Sequence, residues 1–118
     1  MKNSVQLEKE FNILLRRVLD EGFEGISGKF APVIYYLMRR NYGVKEGDEH
    51  KHTAELSACL REVFGSEGQR IIERLLTQKI CKELNMNEEQ CDLMLKMEFT
   101  ARIEYAKRKY VRGRRSLK

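Results

Sequence analysis

Residues 65–87 read GSEGQRIIERLLTQKICKELNMN. Ile71, Ile72, Leu75, Leu76, Ile80 and Leu84 recur at spacings of three and four, which is the period of an α-helix with one apolar face. Ser66 with Gln69 has the spacing of a capping box, and Asn85-Met86-Asn87 is a break. A central helix is therefore predicted between Gly65 and Asn85. Upstream, Thr53 opens a helix with Leu56, Cys59, Leu60 and Val63 inward, and Gly65 ends it. Downstream, Asn87 with Gln90 repeats the capping signature. The helix it opens is predicted to run from Glu88 to about Arg112, a rod of about 37 Å at 1.5 Å per residue. Cys91, Leu95, Phe99, Ala106 and Tyr110 lie along one side, with Leu93, Met94, Met97 and Ile103 on its flanks. The pairs Asp92–Lys96, Glu98–Arg102 and Glu104–Arg108, acid before base at four residues, support a continuous helix.

Toward the N-terminus, Asn3 and Gln6 form a further capping box, followed by Leu7, Phe11, Leu14, Leu15 and Val18 on one face. Gly22 is predicted to close that helix, and Gly22, Gly25 and Gly28 mark a loop needing positive φ or a close approach. Pro32 suits the first turn of the next helix, which carries Val33, Ile34, Leu37 and Met38 and ends at Gly43 with Val44 in a Schellman contact. Residues 45–52, KEGDEHKH, hold no apolar residue and read as a solvated connector.

The fold class implied is all-α: a single compact five-helix bundle, residues 1–106, with a long C-terminal helix and a basic tail, 107–118, whose last residues are flexible. A chain of 118 residues, 42% hydrophobic and 35% charged with one proline, is long enough for one core without metals or disulfides. No apolar run approaches the roughly 20 residues of a membrane helix, and the first residues lack the pattern of a secretion signal. The cytoplasm is the expected location. Cys59, Cys81 and Cys91 each fall in or beside an apolar stripe and read as reduced and buried.

The middle of the chain, residues 22–86, carries Gly25-x-x-Gly28, Ile34-Tyr35-Tyr36-Leu37, Asn41-Tyr42-Gly43-Val44, Leu56-x-x-x-Leu60-x-x-Val63-Phe64-Gly65, Ile71-Ile72 and Leu84. In these it resembles the Nitrosopumilus output domain family. The resemblance implies a small archaeal helical domain with a regulatory output or sensor role and no catalytic residues to carry over.

The net charge of +5 is confined to one place. Lys107, Arg108, Lys109, Arg112, Arg114, Arg115 and Lys118 contribute seven positive groups with no acid among them, leaving residues 1–106 at −2. Such a cluster suits salt-sensitive nucleic-acid binding, and equally suits the negative end of a helix dipole and solubility. A helix-turn-helix around Gly65 would present Gln69, Arg70, Arg74 and Gln78 to DNA, though Glu67 and Glu73 lie among them. His50-x-His52 after Asp48-Glu49 is the one group of metal-ligand type, and reads as a polar loop because a zinc site needs a rigid frame and a further ligand. No glycine elbow, Walker loop or CxxC is present. The expectation is a non-enzymatic regulatory domain with no cofactor or metal. Its partner would be another protein or a second copy, a homodimer formed through Leu93, Met97 and Ile103. Nucleic-acid binding through the tail is the alternative. A sensor pocket built from Tyr35, Tyr36, Met38 and Tyr42 follows only from the family's suspected role.

Overall fold

The computed structural model describes residues 2–116, with side chains to residue 114. The Arg115 side chain and Lys118 lie outside the described residues. Five helices are present, with no strand among the described residues: α1 (Ser4–Ile26), α2 (Phe30–Tyr42), α3 (Thr53–Glu83), α4 (Glu88–Leu95) and α5 (Phe99–Ser116), plus one 3-10 turn at Glu49–Lys51. No helix is long and apolar enough to cross a membrane among the described residues.

Capping boxes open α1 and α4 as their sequences demand: Asn3 Oδ1 accepts from the Gln6 amide at 2.9 Å, and Asn87 Oδ1 from that of Gln90 at 2.8 Å. Leu7, Phe11, Leu15, Val18 and Leu19 of α1 are buried. All but Leu7 share one core cluster with Ile34 and Met38 of α2, Leu56, Leu60, Leu76 and Ile80 of α3, Met94 of α4, and Ile103 and Ala106 of α5. Gly43, at φ 65°, ends α2 in the left-handed region, with the Val44 amide on the Met38 carbonyl and the Val44 side chain buried.

Four expectations need correction. First, α1 does not stop at Gly22 but continues to Ile26. Gly22 is helical, and a Cβ there would lie 2.7 Å from Leu76 Cδ2, so the glycine serves a close approach of α1 to α3. Second, the helices on either side of Gly65 form one bent element, α3, kinked where Gly65 takes φ 76°, ψ 175°. That conformation is essentially glycine-only. Ser66 and Gln69 form no capping box there; the Gln69 amide donates instead to Ser57 Oγ at 2.8 Å. In the second arm of α3, Ile72, Leu76 and Ile80 are buried while Ile71 and Leu75 are exposed. The apolar stripe is wider than the contact it makes.

Third, the chain from Glu88 to Arg112 is not one rod. α4 ends at Leu95, and Arg102 takes up the carbonyls freed at the break: Nε donates to Met97 O at 2.9 Å, Nη2 to Leu95 O at 3.3 Å, and Nη1 to Thr77 Oγ1 at 3.1 Å. The turn rephases the helix. Ile103 therefore enters the core at 4% exposure, and it cannot belong to an oligomer interface. α5 then packs along α1, burying Ala106 and bringing the Tyr110 hydroxyl to Glu10 Oε1 at 3.1 Å. Fourth, residues 45–52 are not simply solvated, because Glu49 is fully buried and His50 nearly so.

Candidate functional site

Glu49 is the hub of a buried ionic cluster. Its Oε1 accepts from Arg16 Nη1 at 2.7 Å and from the Gly47 amide at 2.9 Å, and its Oε2 accepts from Arg39 Nη1 at 2.7 Å. Arg16 comes from α1 and Arg39 from α2, so the carboxylate ties the 3-10 turn to both helices. Burial pushes the Glu49 carboxyl up, but hydrogen bonds from Arg16, from its own backbone and from Arg39 outweigh it and hold the pKa at about 2. The cluster extends outward: the Arg16 guanidinium lies 4.3 Å from the centre of the Tyr35 ring, and the Tyr35 hydroxyl donates to Asp20 at 2.7 Å. Burial, then Asp20, raises the Tyr35 pKa far above its ordinary range.

These contacts decide the fate of the histidine motif. Glu49 is committed to two arginines, Asp48 lies 3.6 Å from Lys51, and His52 Nδ1 is 3.9 Å from Glu55. Among the described residues, no group of three or more His, Cys, Asp or Glu could hold a metal ion. His50 is 8% exposed, and its Nδ1 is sealed from solvent without a hydrogen-bond partner among the described residues. Burial, Arg16 and Lys51 lower its pKa, so the imidazole is neutral at pH 7.

The four residues of the expected sensor pocket do not converge. Tyr35 and Met38 are core residues, while Tyr36 is exposed and accepts from Arg40 at 3.0 Å. The Tyr42 hydroxyl donates to Glu62 at 2.6 Å, which, with burial, raises its pKa to about 12. Around the Gly65 kink, Gln69 is turned inward, Ser57 donates to Glu73, and Arg70 pairs with Glu67 at 2.6 Å. Arg74 and Gln78 are exposed, but Ile71 and Leu75 are exposed alongside them, so the face is mixed rather than basic. Cys59 and Cys81 are buried free thiols and Cys91 is half-buried. Burial, then the neighbouring Cys91, pushes the Cys81 thiol up to about 12.

Two surfaces remain. One is the basic end of α5, where Arg108, Arg112 and Arg114 are exposed, Lys107 pairs with Glu104 at 3.7 Å, and Lys109 lies 5.5 Å from the Tyr105 ring centre. A cleft of about 640 Å³ between this end and the start of α1 is lined by Ser4, Glu8, Glu104, Lys107, Arg108, Val111 and Arg112. The other is a set of exposed apolar side chains on α1, α2 and α3. Ile26 of α1, Val33 and Tyr36 of α2, and Val63, Phe64, Ile71 and Leu75 of α3 are all large and exposed, with Ile71 at 58% and Leu75 at 49%. The segments carrying them meet through a ladder of rings, Phe23 to Phe30 at 5.3 Å and Phe30 to Phe64 at 5.1 Å. Leu93 is 48% exposed on α4, and Met97 is half-buried.

Neither the Glu49 cluster nor this apolar face is legible in short-range spacing, since Arg16 and Glu49 are 33 residues apart. Comparisons with protein families, with curated proteins and with solved structures give no match.

Proposed function

We propose that the chain is a non-enzymatic interaction domain of regulatory type, acting in the cytoplasm and docking a protein through the apolar face around the Gly65 kink. The observation that carries this reading is the set of seven exposed large apolar side chains on α1, α2 and α3, joined by the Phe23–Phe30–Phe64 ladder. Apolar side chains collected on one face mark interaction sites, whereas scattered single ones do not. The regulatory part is carried over from the expectation that residues 22–86 resemble an archaeal output-domain family. A second copy of the chain is the first partner to test, by sedimentation equilibrium over a range of concentrations. A dimer that Ile71→Glu with Leu75→Glu converts to monomer supports docking at this face; a wild-type chain monomeric at 100 µM refutes self-association.

Nucleic-acid binding by the basic end is the second reading, favoured by the exposure of Arg108, Arg112 and Arg114 over the last turns of α5. Truncation at Ala106 is an unsuitable test, because Tyr110 and the end of α5 pack on α1. Replacing the three arginines by glutamine keeps the helix. Binding to a labelled duplex that is lost in this variant, and that in wild type falls with a log–log salt slope of about −0.9 per phosphate contacted, supports the reading. Absence of binding at low salt refutes it.

A further inference from the structure

Two clefts meet where α1, the 3-10 turn and α5 come together, and Asn12, His50 and Lys51 line both. The smaller, about 210 Å³, is completed by Thr53, Glu104 and Lys107 among others. The larger, about 450 Å³, adds Lys9, Arg16 and Ile13, the last 72% exposed. Four cations, Lys9, Arg16, Lys51 and Lys107, line the pair of clefts with one carboxylate, Glu104, and of the four Arg16 is already held by Glu49 and Asp20. The ion pairs within it are loose: Lys51 to Asp48 at 3.6 Å and Lys107 to Glu104 at 3.7 Å, both three residues apart and easily exchanged for a ligand. Lys9 makes no hydrogen bond or ion pair among the described residues.

His50 supplies the second, independent observation. It lines both clefts and is more than nine-tenths buried; its Nδ1 is sealed from solvent with no hydrogen-bond partner among the described residues, so a ligand in the cleft meets the ring at its other edge. A ring held in the walls that these ammonium groups share reports directly on an anion bound between them.

We propose that this double cleft binds a phosphate group, held by Lys51 and Lys107 beside His50 and Asn12. Phosphate fits better than carboxylate, because the lysines offer compact point charges suited to a dianion, while the Arg16 fork that would grip a carboxylate is engaged by Glu49 and Asp20. The exposed Ile13 in the larger cleft provides an apolar seat for the organic part of a phosphate monoester.

The test is a titration of the full chain at fixed pH 7, followed by the imidazole C–H resonances. The chain has only two histidines, and the more exposed His52 is the internal control. Inorganic phosphate and glycerol 3-phosphate are the probes, with glycerol as blank. A saturable shift at His50 with His52 unmoved, weakened at least tenfold in Lys51→Gln/Lys107→Gln, is expected. Tighter binding of glycerol 3-phosphate assigns the Ile13 cleft to an organic group, and equal affinity assigns the site to phosphate itself. A shift that grows linearly without saturating, that moves both histidines together, or that persists unchanged in the double variant overturns the proposal.

Discussion

Replacing Glu49 by glutamine removes the charge that Arg16 and Arg39 share while preserving the shape of the side chain. Breaking a buried pair from one side costs about 3–5 kcal/mol when the remaining charge is sealed from water. Here the two arginine side chains are 30% and 33% exposed, so water recovers part of the loss, and about 2–3 kcal/mol is expected. The titration argument agrees: lowering a carboxyl pKa from 4.5 to about 2 corresponds to roughly 3 kcal/mol. In a domain of 118 residues that is a fall in Tm of about 8–12 °C. The sign with pH follows from a folded-state pKa below the unfolded one. The stabilisation is complete above about pH 5, declines as pH falls from 4.5, and is mostly gone at about 2. Urea unfolding of wild type and Glu49→Gln between pH 7 and pH 2.5 should show a gap that narrows steadily with acid. Equal stability at pH 7, or a gap unchanged across that range, would show that Glu49 adds no net stability as an anion.

Five further substitutions test the packing, all by urea unfolding at pH 7. Gly25→Ala meets nothing within 4 Å and should stabilise α1 by about 0.5–1 kcal/mol, whereas Gly22→Ala drives a Cβ into Leu76 and should destabilise by about 1–2 kcal/mol. Ile103→Ala should cost about 2–5 kcal/mol and Leu93→Ala less than about 0.5, the reverse of what an interface at Ile103 would give. Arg102→Met strands the Leu95 and Met97 carbonyls and should cost about 2–3 kcal/mol, with faster amide exchange in α4.

Local chemistry made the helix ends legible. Asn3 with Gln6, Asn87 with Gln90 and Gly43 with Val44 all act within a few residues, and each behaves as its sequence implies. What escaped depends on distant partners. Gly22 looked like a stop because glycine is a poor helix former, but its neighbour is Leu76, more than fifty residues on. The break after Leu95 has no glycine or proline to announce it, and its stabiliser, Arg102, is anchored through Thr77. One clue was present: buried Met94 and Phe99 are five apart, a spacing that a continuous helix cannot keep on one face. Of the candidate site, the basic end of α5 was readable from composition. The apolar face was not, because Ile71 and Leu75 have the same spacing as the core residues Ile72 and Leu76.

The hydrogen bond from Tyr110 to Glu10 joins residues 100 positions apart. Alongside it, Phe11 packs on the Tyr110 ring at 5.8 Å. During synthesis, α1 emerges long before the helix that covers it. A nascent chain that has made α1 to α4 still leaves Phe11 without its Tyr110 ring and the core without Ile103 and Ala106. Closing so long a loop carries an entropic penalty that is met only at the end. Folding should therefore complete after α5 is released, and a ribosome-bound chain stalled before Phe99 should remain open to protease along α1.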